Sequence, residues 1–166
     1  MTSSAQEQAM NPKYEELLAE ITTQTLEKLA FIFASSEDDF NALILEEAEI
    51  AKVYFKGPFS GMLVFAISKF ALPELAANML GEDDQDTVTM EQQQDTLKET
   101  LNIICGNLLP ELSDKTAVFD IGAPEMAEPS ILNHPDKKYH HNISASLSLD
   151  DGSCVVTLFI EDEAFG

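Results

Sequence analysis

The sequence predicts an α+β domain, an antiparallel β-sheet with helices packed on one face. Three observations predict it. Strand-like runs come in pairs joined by short turns, 50–56 with 62–68 and 139–149 with 154–160. Helical periodicity is confined to separate stretches, 13–32, 74–80 and 90–112, that do not alternate with single strands. The 166 residues are 45% hydrophobic, enough for one substantial core.

Residues 1–12 are polar and small and read as a flexible tail, leaving 13–166 as a single domain. From Lys13 onward, Leu17, Leu18, Ile21, Thr25, Leu29 and Ile32 recur at three- and four-residue steps. That spacing predicts an amphipathic helix, ended by the polar run 35–39. The segment 40–49 carries no assignable pattern. Residues 50–56 and 62–68 are β-branched and aromatic, and Gly57-Pro58-Phe59-Ser60-Gly61 supplies the turn between two strands. Pro73 suits the first turn of a short helix over 74–80, where its missing N–H costs nothing. Gly81 is a natural left-handed cap for that helix.

The acidic run 82–86 reads as a solvated loop. It is not an EF-hand loop, because counting from Asp84 puts Thr89 at the glycine position and no Glu at the last. Thr87 or Thr89 can cap the next helix, 90–112, whose apolar stripe is Leu97, Leu101, Ile104 and Leu108. Pro110 removes one helical hydrogen bond and predicts a kink or an end between 106 and 110. The last third reads as a strand over 116–121, a Pro-containing loop over 122–136 and a closing hairpin. In its first strand Ile143, Ala145, Leu147 and Leu149 alternate with Ser144, Ser146 and Ser148. Asp151-Gly152 is the hairpin signal.

Charge removes whole classes of function. Asp and Glu number 30 against 9 Lys and Arg, a formal net charge of −21, and all of the basic residues are lysine. Nucleic acid is excluded as a partner, since binding it needs cations that displace phosphate counterions. Anionic membrane surfaces are disfavoured for the same reason. Bidentate recognition of phosphate by a guanidinium is impossible without arginine. No apolar run approaches the roughly 18 residues of a membrane span. The N-terminus has no basic segment followed by an apolar one. Cys105 and Cys154 lack metal-type spacing. A reduced, cytoplasmic protein is therefore expected.

Common catalytic sets are missing: no Gly-rich phosphate loop, no G-x-S-x-G elbow, no H-E-x-x-H helix. His140 and His141, adjacent on a strand, point to opposite faces, so they and His134 predict no metal site. Cys105 and Cys154 read as core thiols. The helix over 90–112 is more informative. Its polar side carries Gln92, Asp95, Glu99, Asn102 and Gly106 at spacings of three, four, three and four. At about 100° per residue, Glu99 and Asn102 share one face and Gly106 falls between them in angle. Asn is a poor interior helix residue, and Gly costs about 1 kcal/mol there relative to Ala. On spacing alone, a solvated face that tolerates both accounts for the pattern, because any E-x-x-N is common by chance.

The full run Lys98-Glu99-Thr100-Leu101-Asn102-Ile103-Ile104-Cys105-Gly106-Asn107 resembles the active-site helix of the CheC/CheX family of chemotaxis phosphatases. That family carries E-x-x-N followed closely by a Gly-Asn pair. The resemblance extends over 50–81, as strand, Gly-containing turn, strand and a helix ending Met79-Leu80-Gly81, and over the final hairpin. The tail and residues 35–49 have no clear counterpart. The resemblance implies an internal pseudo-repeat, and Glu27-Lys28-Leu29-Ala30-Phe31-Ile32 can be laid on Glu99-Thr100-Leu101-Asn102-Ile103-Ile104. Ala30 then stands where Asn102 stands, so the chain resembles the one-site CheX type.

The implied activity is hydrolysis of the aspartyl-phosphate of a CheY-like response regulator. Asn102 would orient the attacking water and Glu99 would pair with the receiver's lysine. Gln92, Asp95, Gly106 and Asn107 would lie on the partner-binding surface. No cofactor of the chain's own is implied, with Mg2+ supplied by the regulator, and a homodimer is expected. The alternative is a non-catalytic module that binds response regulators or serves in a flagellar switch.

Overall fold

β-branched and aromatic side chains crowd 48–56 and 61–68, and these become the two central strands of the fold. The computed structural model describes residues 12–39 and 42–163. The tail read over 1–12 lies outside them apart from Pro12, as do Phe40 and Asn41 of the unassigned segment. In chain order the elements are α1 (Pro12–Ala30), β1 (Ser35–Ser36), β2 (Ala48–Lys56), β3 (Gly61–Ser68), α2 (Leu72–Leu80), α3 (Met90–Leu112), β4 (Asp120–Ile121), β5 (Glu125–Ala127), α4 (Ser130–Asn133), β6 (His141–Leu149) and β7 (Gly152–Ile160). The strands form one antiparallel sheet in the order β1-β6-β7-β3-β2-β4, with β5 also paired to β2.

Alternation along the central strands divides the core. Ala51, Val53 and Phe55 of β2 and Leu63, Phe65 and Ile67 of β3 face α1, α2 and α3. Ile143, Ala145, Leu147, Val156 and Leu158 continue that face across β6 and β7. The helices return Leu18, Leu26, Leu72, Leu75, Leu97 and Leu101, all essentially without solvent contact. Burying each such side chain contributes about 1.5–3 kcal/mol. The opposite sheet face holds a smaller cluster, Ile50, Met62, Val64, Ala66 and Phe159, covered by Leu43 and by Ile131 and Leu132 of α4.

Several boundaries differ from the sequence expectation, each for a local reason. α1 stops at Ala30, short of Ile32, because Phe31 turns to a φ of 55° and the Ile32 N–H donates back to the Leu26 carbonyl at 3.3 Å. Ser35 and Ser36, expected only to end a helix, pair with Ser148 and Leu147 of β6. The strand expected over 116–121 is reduced to Asp120–Ile121. The Asp114 carboxylate accepts from the Thr116 N–H and hydroxyl, both at 2.9 Å, and holds 114–117 in a turn. The loop expected over 122–136 contains both β5 and α4, because β2 offers an open edge that β4 and β5 complete. The closing turn is Asp150-Asp151 rather than Asp151-Gly152, since Leu149 pairs directly with Gly152.

Pro110 does not end α3, which runs on to Leu112. Proline costs the single bond to the Gly106 carbonyl, and the flanking Leu108 and Leu109 are buried in the core and hold that turn in place. Gly81 caps α2 with φ 73°, as expected. Among the described residues no helix is long and apolar enough to cross a membrane.

Candidate functional site

α3 starts where the sequence changes from acidic loop to helical periodicity, and Thr89 fixes the start. Its hydroxyl accepts from the Gln92 N–H at 3.1 Å, and the Gln92 side chain accepts from the Thr89 N–H at 2.9 Å. This reciprocal cap satisfies two N–H groups that the first turn leaves without helical partners. Leu97, Leu101, Ile104, Cys105 and Leu108 then seat the helix on the sheet. Thr100, also buried, returns its hydroxyl proton to the Thr96 carbonyl at 2.8 Å.

Seating that stripe turns Asp95, Glu99, Asn102 and Gly106 to the exterior, all exposed. Asp95, Lys98, Glu99 and Asn102 line a shallow recess of about 370 Å3, closed on one side by Pro124. Pro124 arrives between β4 and β5, the two short strands on the β2 edge. Phe119, just before β4, packs edge-on against Phe55 at 6.1 Å and Phe59 at 5.2 Å between ring centres. That aromatic trio anchors the segment that carries Pro124. Sequence reasoning missed Pro124, and no pattern around it signals its position.

Within the recess, Lys98 Nζ lies 3.6 Å from the Asp95 carboxylate. Among the described residues, Glu99 has no ion-pair partner and neither Glu99 nor Asn102 makes a side-chain hydrogen bond. A carboxylate and a carboxamide one turn apart therefore face outward unengaged. Gly106 lies beyond them on the same face, and a Cβ placed there would meet nothing within 4 Å. The chain's own packing does not require glycine at that position.

Two of the expected surface residues stand elsewhere. Gln92 is committed to the helix cap. Asn107 is turned toward α1 and borders the groove between α1 and α3, with Leu17, Ile21 and Ile103. Other reactive side chains lead away from the recess. Burial pushes both the Cys105 and Cys154 thiols up to about 12, so they stay protonated in the core. His141 Nε2 lies 2.7 Å from the Glu163 carbonyl, on the far hairpin. Among the described residues, no three His, Cys, Asp or Glu side chains gather as a metal site.

The family model described as chemotaxis phosphatase CheX matches residues 50–147, which include all of α3 and β3 and all of β2 but its first two residues. No curated protein matches the sequence. Solved structures do match by fold. The chemotaxis protein CheX of Desulfovibrio desulfuricans superposes with a TM-score of 0.68 at 20% identity, over 90% of this chain and 99% of that one. CheX of Vibrio vulnificus gives a TM-score of 0.69 at 16% identity, over 89% and 96%. A CheX–CheY–BeF3–Mg2+ complex from Borrelia burgdorferi contains a chain with a TM-score of 0.66 at 19% identity, over 90% and 98%.

Proposed function

Because the chain belongs to the CheX family of chemotaxis phosphatases, we propose that it hydrolyses the aspartyl-phosphate of a CheY-like response regulator. The observation that carries this is the unengaged outward pair, Glu99 and Asn102, on a capped and well-seated helix. The complex of a related CheX with CheY supports the class of partner.

In this mechanism Asn102 enters the receiver's active site and holds a water in line with the phosphorus. The water oxygen bonds to phosphorus as the bond to the aspartyl oxygen breaks, leaving inorganic phosphate and a free carboxylate. Catalysis of such a loose transition state is mostly positioning and electrostatics. A carboxamide suits the task because it offers a donor and an acceptor without a charge that would repel phosphate. Glu99 pairs with the receiver's lysine and fixes the docking geometry. Mg2+ belongs to the receiver. The open face at Gly106 lets the partner's backbone approach α3.

This division of labour suits the composition. A chain with no arginine and a net charge of −21 is ill-equipped to hold phosphate itself. Here it supplies only a carboxylate and a carboxamide, and the cations come from the substrate protein.

The test uses the purified chain and candidate receivers from the same genome, phosphorylated with acetyl phosphate. Faster loss of phosphate from at least one receiver is expected. No acceleration with any receiver overturns the enzymatic assignment. Binding without acceleration identifies a non-catalytic receiver-binding module instead.

A further inference from the structure

A second polar concentration lies across the sheet from α3. Two of the chain's 9 lysines, Lys52 and Lys138, and two of its 3 tyrosines, Tyr54 and Tyr139, line one pocket on the outer sheet face. Lys52 Nζ lies 3.2 Å from the Tyr54 hydroxyl and 5.2 Å from the centre of its ring. Lys138 Nζ is shared between rings, 5.9 Å from Tyr54 and 5.3 Å from Tyr139. Among the described residues neither ammonium pairs with a carboxylate, in a chain that carries 30 of them.

The two acids that line the pocket do not change this. The Asp136 carboxylate accepts from the Lys138 N–H at 3.0 Å and so fixes the turn. Glu128 stands exposed at the rim. The remaining lining joins the polar Ser130 and His134 to an apolar part made by Met62 of β3, Met126 of β5 and Ile131 of α4. The cavity is about 390 Å3, within the range of small-molecule sites. Burial pushes the Tyr139 phenol up to about 12, so it remains a proton donor.

We propose that this pocket binds a small organic anion, with a carboxylate or phosphate on the Lys52 and Lys138 ammonium groups and a carbon skeleton against Met62 and Ile131. Cation–π contact alone stabilises an exposed lysine only modestly. An anion adds an ionised acceptor, which neither ammonium has among the described residues; Lys52 meets only the neutral Tyr54 hydroxyl. The site stands apart from the receiver chemistry, because Lys52 and Tyr54 point to the sheet face opposite Val53 and Phe55, which pack toward the helices.

Calorimetric titration of the full chain tests it, without any receiver. The probes are inorganic phosphate, adenosine 5′-monophosphate and benzoate, with adenosine and benzamide as neutral counterparts. At least one organic anion is expected to bind saturably, its neutral counterpart about tenfold or more weaker. The double variant Lys52→Gln/Lys138→Gln loses about tenfold or more of that affinity, and Lys115→Gln keeps it. Three results overturn the proposal: no saturable binding by either organic anion, equal binding of the neutral counterpart, or unchanged binding by the double variant.

Discussion

Lys98 pairs with Asp95 at 3.6 Å, one turn back along α3, and leaves the adjacent Glu99 without an ion-pair partner among the described residues. The one cation that lines the recess among the described residues is thereby engaged, and Glu99 is presented to whatever docks. Glu99→Gln keeps the shape and removes the charge. It is expected to raise KM for the phosphorylated receiver by about tenfold or more, as a docked charge pair loses one partner. The loss should shrink as salt rises, because screening weakens the wild-type pair. KM measured at several ionic strengths checks this, and an unchanged KM removes Glu99 from the docking surface.

Gly106 costs helix stability without serving the fold, since a Cβ there meets nothing within 4 Å. Gly106→Ala is expected to stabilise the chain by about 0.5–1 kcal/mol. The same methyl group stands where the receiver's backbone is proposed to approach, so receiver affinity should fall. Thermal unfolding and receiver binding measured on the same variant separate the two effects. A rise in both Tm and affinity contradicts the assigned role.

Thr89 and Gln92 hold the first turn of α3 by mutual bonds of 3.1 and 2.9 Å. Thr89→Ala should cost about 1 kcal/mol of stability. Glu99 lies more than two turns further on, so kcat at saturating receiver should stay at the wild-type level. A large fall in kcat with unchanged stability would place the helix start in the catalytic machinery.

How much of this was legible in the sequence depends on the length of each element. The start and the buried face of α3 were legible because a threonine cap and a long apolar stripe agree, while Pro110 argued for an earlier end than Leu112. The E-x-x-N pair and Gly106 were legible as a face, but their freedom from internal partners was not. Short elements left no periodicity to read. β1, β4, β5 and α4 exist because neighbouring edges and the outer sheet face offer partners, which is a tertiary effect. Pro124 reaches the recess by that route. The hairpin was misplaced by one residue because Gly152 serves a different need. Its φ is 149°, and a Cβ there would crowd the Ser68 side chain, so glycine is required for close packing rather than for the turn. The helix end expected near Pro110 does not occur for the opposite reason, since buried Leu108 and Leu109 outweigh one lost hydrogen bond.

The two buried thiols tie stability to alkaline pH. Both are held up at about 12, against an ordinary value of 9.0. Above pH 9 the unfolded chain releases these protons while the folded chain keeps them. The stability they contribute is therefore complete below pH 9 and is lost as pH rises toward 12. The slope is at most about 1.4 kcal/mol per pH unit for each thiol. Denaturant unfolding of wild type and Cys154→Ala between pH 8 and pH 10 checks it, with a shallower decline expected in the variant. A thiol reagent should label neither cysteine in the native state and both after unfolding.

The central claim is that Asn102 positions the attacking water, and single-turnover dephosphorylation of a receiver saturated with Asn102→Ala tests it most directly. A fall in rate of about 10²–10³-fold is expected, the size typical of losing one positioned polar group at a transition state. Receiver affinity should be little changed, because Glu99 still docks. A variant that releases phosphate at the wild-type rate contradicts the assignment of Asn102, even if the phosphatase activity itself is real.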